Sequence, residues 1–175
     1  IAKGFDMKVI AYDTRQTEIL AEVLGFTYVP LDRLMQESQI VTLHVPYNKN
    51  THHLINAEKL NLMPRGSFLI NTARGAIVDT EALIKALSSG RLAGAGLDVL
   101  EGEEFIKEEM DVLREGYKQE ALAVIAKNEL LLRRQNVVFT PHIAFDSREA
   151  LERILDTTVK NINRYISGEP CTTVS

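Results

Sequence analysis

In Ser67–Asp79, SFLINTARGAIVD, an arginine stands between two apolar segments, after Phe68–Ile70 and before Ile77 and Val78. A lone arginine in a turn reads first as one member of a surface ion pair, a weak interaction. With Gly75 leaving the backbone open beside it, Arg74 could instead present its planar fork to a carboxylate. Two other residues bear on proton transfer: His142 in TPHIA and Glu103 in DVLEGEE. Taken singly, His142 reads as a hydrogen-bonded core histidine and Glu103 as an exposed charge. Together they are an acid–base arrangement, because a neighbouring carboxylate holds the imidazolium and raises its pKa.

The elements that would position these residues are short apolar strands alternating with helices. Lys8–Asp13, Phe26–Val29, Gln39–Val45, Phe68–Ile70 with its flanks, Leu92–Val99 and Asn136–Ile143 read as strands. Thr14 is expected to cap a helix with Ile19, Leu20, Val23 and Leu24 on its apolar face and Gly25 at its end. Asn56 caps a short helix to Met63, and Asp79 starts one that packs Leu83, Ile84 and Leu87 and ends at Gly90. The last helix opens on a capping box, Asp146 with Glu149, and carries Leu151, Ile154, Leu155, Val159, Ile162 and Ile166. Strands apolar on both faces and separated by helices predict α/β architecture, a parallel sheet covered on either side. Charged amphipathic sequence from about 103 to 134 interrupts the alternation and reads as a helical insertion.

In such a sheet, ligands bind beyond the carboxyl ends of the strands. Asp13 follows the first strand, Val45 and Pro46 the third, and Thr72, Ala73 and Arg74 the fourth. Asp98 ends the fifth, with Glu103 shortly after, and Pro141 and His142 end the last. Asp13 either caps the next helix or bridges the ribose hydroxyls of a dinucleotide, and spacing does not choose between them.

A formal charge of −4 and a pI near 5.6 give no nucleic-acid or anionic-membrane surface. Cys171 is the single cysteine, so neither an internal disulfide nor a thiolate metal cluster forms, as expected in a reducing cytoplasm. No apolar run reaches the roughly 20 residues of a membrane span, and no signal peptide is read. His52 and His53 are adjacent, which does not suit convergence on one metal, and the acidic run Glu101–Glu109 reads as a solvated helical face.

YD at a strand end, HVP, NTARGAIVD, GAGLDVLEGE and TPHIA occur here in the order found in D-2-hydroxyacid dehydrogenases, and the chain resembles that family over nearly its whole length. The EGE run, the insertion and Phe145 after HIA resemble the D-lactate dehydrogenase branch. The resemblance implies a Rossmann-type doubly wound sheet and NAD as cofactor. Asp13 would bind the adenosine ribose and favour NAD over NADP. Val45 and Pro46, with Thr51 nearby, would flank the adenosine; Thr72 and Ala73 would approach the cofactor, and Asp98 its nicotinamide end. Arg74 would grip a 2-keto acid, His142 would protonate its carbonyl oxygen, and Glu103 would hydrogen-bond His142. The implied partner is a small 2-keto or 2-hydroxy acid, and the intact protein would be a homodimer.

The family's G-x-G-x-x-G turn is absent from this sequence, which also opens on Ile1 without an initiator Met. The expectation is therefore an incomplete nucleotide domain, residues 1–144, lacking its first strand and Gly-rich loop, with residues 145–175 as a C-terminal helix and tail. That tail would pack on the nucleotide domain or complete a substrate domain. The chain would be the C-terminal half of a dehydrogenase, unstable and inactive alone. Two other readings stand beside the enzyme: an NAD-sensing corepressor, since transcriptional corepressors share this fold, and an inert fragment.

Overall fold

Six strands and six α-helices alternate along the residues that the computed structural model describes, 1–103 and 119–170. Strand β1 (Ile10–Ala11) pairs in parallel with β2 (Thr27–Tyr28) as a separate two-stranded sheet. The main sheet is also parallel, in the order β3 (Ile40–Leu43), β4 (Ser67–Asn71), β5 (Leu92–Leu97), β6 (Val137–Phe139). Parallel neighbours need crossovers, and α3 (Ala57–Leu62), α4 (Thr80–Ser88) and α5 (Gln119–Leu132) provide them. No ladder joins β1 to β3 among the described residues. The architecture is the expected α/β fold, a Rossmann-like parallel sheet with helices.

Local chemistry explains the helix starts. The Asn56 side chain accepts the Lys59 N–H at 3.1 Å, and Asp79 accepts the Glu81 and Ala82 N–H groups at 3.0 and 3.1 Å. Gly25 ends α1 (Glu18–Leu24) at φ 68°, a conformation open to glycine. Helices α2 (Leu31–Glu37), α3, α4 and α5 contact one another in series over one face of the main sheet. Met35, Ile55, Leu60, Met63, Leu69, Leu83, Leu92 and Leu131 are buried between them, each such side chain stabilising by about 1.5–3 kcal/mol relative to exposure.

Several expectations are corrected. On the main sheet Ser67, Leu69 and Asn71 are buried, while the alternate Phe68 and Ile70 are 46% and 36% exposed and Val138 is 71% exposed. Apolar alternation shows what a strand can bury, not what is there to bury it. Thr14 does not cap α1; Asp13 accepts the Arg15 N–H at 2.8 Å, and the helix starts later, after Thr17. Its apolar residues Ile19, Leu20, Val23 and Leu24 are exposed. Helix α2 was not anticipated, and no side chain caps it. Of the expected insertion, α5 is described and residues 104–118 lie outside the described residues.

The chain divides into two units, Ile1–Phe139 and Thr140–Ser175. The second is dominated by α6 (Arg148–Ser167), which ends at Gly168 with φ 71°. Its cap is Ser147, accepting the Ala150 N–H at 3.2 Å, rather than the Asp146–Glu149 box. Leu151, Ile154, Leu155, Val159, Ile162 and Ile166 on this helix are exposed.

Candidate active site at the strand ends

Arg74 leaves β4 through a turn built by Asn71, whose side chain is almost wholly buried. Asn71 Oδ1 accepts the Ala73 N–H at 3.0 Å, and Nδ2 donates to the Arg74 carbonyl at 2.9 Å. One amide thus replaces the ladder partners that the backbone loses as the strand ends. Thr72 and Arg74 project from this turn and are exposed. The Arg74 guanidinium donates to the Ala73 carbonyl at 2.7 Å, and a 3₁₀ turn, Gly75–Ile77, follows.

The β5 exit lies against the same turn. Asp98 is 3% exposed, and its N–H donates to the Asn71 carbonyl at 2.9 Å. Gly75 packs directly on the Leu100–Glu101 backbone. Beyond Gly102 at φ 71°, the Glu103 N–H donates to the Leu100 carbonyl at 3.3 Å. Arg74, Asp98 and Glu103 are therefore carried by two loops in mutual contact.

The remaining predicted residues are placed as follows. Val45 is half-buried and Pro46 exposed after β3. Thr51 closes that loop, its hydroxyl donating to the Pro46 carbonyl at 2.7 Å and accepting the Asn48 N–H at 2.8 Å. Asp13 is exposed beyond β1. His142 opens the second unit, half-buried at φ 55°, with its N–H donated to the Thr140 carbonyl at 2.9 Å. Histidine tolerates that left-handed conformation better than most residues do.

Sequence reasoning missed one cluster. His53 Nε2 lies 2.6 Å from Glu101 Oε1, and Glu101 Oε2 accepts the Thr80 N–H at 3.3 Å. Glu101 is thus not part of a solvated face; its side chain is 19% exposed. Partial burial pushes its carboxyl up, but the hydrogen bonds from Thr80 and His53 outweigh that, and it lies below the ordinary carboxylate range. No local signal marks the pair, because 48 positions separate the partners.

Residues 1–144 match the family model for the D-isomer specific 2-hydroxyacid dehydrogenase NAD-binding domain. The chain belongs to that family. It is 44% identical over 163 residues to a D-specific alpha-keto acid dehydrogenase of Enterococcus faecium, covering 91% of this chain and 45% of that protein. A glyoxylate reductase of Thermococcus litoralis is 40% identical, covering 96% of this chain and 44% of the relative. The D-lactate dehydrogenase of Aquifex aeolicus, solved with NAD and lactic acid, superposes with a TM-score of 0.81 at 42% identity, covering 95% of this chain and 48% of that one. The chain spans about half the length of the curated relatives it matches.

NAD is the cofactor of the dehydrogenase family, and the residues present suit it. An exposed carboxylate ends β1, a half-buried valine and a proline end β3, and an exposed hydroxyl and a small alanine end β4. Those are hydrogen-bonding, apolar and close-approach groups, the kinds that suit a dinucleotide beyond strand ends.

Proposed function

We propose that this chain forms the nucleotide-binding part of an NAD-dependent reductase that converts a small, pyruvate-like 2-keto acid into the D-2-hydroxy acid. The observation that carries the reading is the Asn71-built turn, which presents an exposed Arg74 against the loop bearing Asp98 and Glu103. NADH supplies the hydride when bound. Asp13 would accept hydrogen bonds from the adenosine ribose, and its charge would repel the extra phosphate of NADP. Val45 and Pro46 would wall the adenosine beside Thr51. Thr72 and Ala73 would line the cofactor's path, with Asp98 at its nicotinamide end.

Arg74 would pair with the substrate carboxylate and polarise the keto oxygen, fixing which face is presented. Protonated His142 would give its proton to that oxygen as the carbonyl carbon accepts hydride, leaving a hydroxyl group and a neutral imidazole. Glu103 would hold His142 in its protonated form and orient it. In the reverse direction, neutral His142 takes the hydroxyl proton. A pyruvate-like substrate is favoured by the likeness to D-lactate dehydrogenases, and Phe145 offers an apolar contact for a short side chain.

The reading also has the protein act as a cytoplasmic homodimer. The exposed stripe Leu155, Val159, Ile162 and Ile166 is the kind that a second subunit or further chain covers. No described helix is long and apolar enough to cross a membrane.

The test is steady-state reduction of pyruvate by NADH in the full-length protein carrying His142→Ala. Loss of positioned proton transfer lowers kcat by a factor of roughly 10²–10⁴, with NADH affinity retained. Undiminished turnover would remove His142 from the mechanism.

A further inference from the structure

The His53–Glu101 pair ties the segment after β3, which is hydrogen-bonded to the chain leaving Arg74, to the loop that carries Glu103. Its backbone side is a short parallel run in which residues 53–55 follow residues 76–79. The His53 N–H donates to the Ala76 carbonyl at 2.9 Å, the Ile55 N–H to Ile77 at 3.1 Å, and the Asp79 N–H to Ile55 at 3.0 Å. Ile55 and Val78 form a parallel bridge within it. His53 is thereby fixed to the segment that continues from Arg74 through the 3₁₀ turn. Its φ of 49° is left-handed, a conformation of low intrinsic population for a side-chain-bearing residue.

The side chain reaches the other loop. Nε2 meets Glu101 Oε1 at 2.6 Å, and with the carboxylate ionised the ring nitrogen is the donor. Glu101 is held from two more directions. Its second oxygen accepts the Thr80 N–H at the start of α4, and its carbonyl accepts the Asn128 Nδ2 of α5 at 2.9 Å. Three elements therefore converge on Glu101, two positions before Glu103 in the chain. The contact between Gly75 and the Leu100–Glu101 backbone completes the closure on the Arg74 side.

We infer that His53 is a positioning residue for the reaction: through Glu101 it sets the loop bearing Glu103 at a fixed distance from the turn bearing Arg74. The inference rests on the proposed function, in which both those side chains act on one small substrate. The pair itself need not touch substrate. A clamp on a carboxylate and a group oriented for proton transfer act together only when their separation is held, and a displacement near 1 Å costs on the order of 10²-fold in rate. Nothing in the mechanism otherwise uses a histidine and a carboxylate joined 2.6 Å apart beside the site.

The experiment compares His53→Ala, His53→Gln and Glu101→Leu in the full-length protein, with Arg74→Ala as reference, using pyruvate and NADH. His53→Ala is expected to lower kcat/KM for pyruvate by about 10- to 100-fold, with most of the loss in kcat and the NADH dissociation constant unchanged. His53→Gln, whose amide still donates to the carboxylate, recovers most of that loss. Adding Glu101→Leu to His53→Ala costs little further, because one link cannot be broken twice. All rates are taken well below each variant's melting temperature, so that lost stability alone does not lower them.

The inference is overturned if His53→Ala keeps the parent kcat/KM, or if glutamine at position 53 behaves like alanine. An impaired Arg74→Ala beside an unimpaired His53→Ala sinks this inference and leaves the proposed function standing. Unimpaired Arg74→Ala sinks both. Should His53→Ala not fold, His53→Gln and Glu101→Leu decide, the first near parent activity and the second, which has no acceptor, well below it.

Discussion

Gly75 and Leu100 touch through their backbones: a β-carbon built on Gly75 would fall 2.0 Å from the Leu100 carbonyl. Two loops that leave adjacent parallel strands are thus in contact at their first opportunity, and no side chain can come between them. Gly75→Ala must separate the loops or distort one of them. Overpacking of that kind costs roughly 1–3 kcal/mol, to be read as a lowered urea midpoint with little change in slope. An unchanged midpoint would mean that the loops part easily and that the contact does not fix Arg74.

Acid should act on the fold through Glu101. Its carboxyl lies below the ordinary value of 4.5; burial raises it, and the bonds from Thr80 and His53 lower it further than burial raises it. A group depressed in the folded state stabilises above its unfolded pKa, and that contribution disappears as pH falls through the folded value. Stability is therefore lost downward from about pH 4.5. Glu101→Gln should flatten this part of the acid profile when melting temperature is followed from about pH 5 to about pH 3. A parallel profile in the variant would show that Glu101 does not carry the acid sensitivity.

How much of this was legible in the sequence depended on the range of each interaction. The caps at Asn56 and Asp79 and the glycine end of α1 were readable because donor and acceptor lie within three positions. The position of Arg74 at the exit of β4 was readable as well, because the apolar strand before it and Gly75 after it are both local signals. The cap of α6 was displaced by one residue, from Asp146 to Ser147, because either side chain can serve and only the backbone path decides. Helix α2 was missed although Leu31, Leu34 and Met35 stand at helical spacing, because seven residues give the pattern only two turns in which to show. The His53–Glu101 bond was invisible for a different reason. An acid in an acidic run reads as solvated unless its partner is known, and here the partner comes from another loop. Phe68 and Ile70 show the same limit: apolar residues state a capacity for burial, and in this chain both remain partly exposed.

Cofactor choice should follow Asp13. Its carboxylate is exposed at the end of β1, where it can accept from ribose hydroxyls. Asp13→Ala in the full-length protein should raise the KM for NADH by about tenfold or more, the worth of a hydrogen bond to a charged group. It should also narrow the gap between NADH and NADPH. Equal discrimination in parent and variant, measured as the ratio of kcat/KM values, would take Asp13 out of the cofactor site.

The central claim is that Arg74 grips the carboxylate of a 2-keto acid, and the most direct measurement is kcat/KM for pyruvate in the full-length protein carrying Arg74→Ala, with NADH binding followed in parallel. Truncating one partner of a hydrogen-bonded charge pair costs about 2–5 kcal/mol, so kcat/KM should fall by a factor on the order of 10²–10³ while NADH affinity stays near that of the parent. An unchanged kcat/KM would contradict the account, leaving Arg74 a surface charge at the end of a strand.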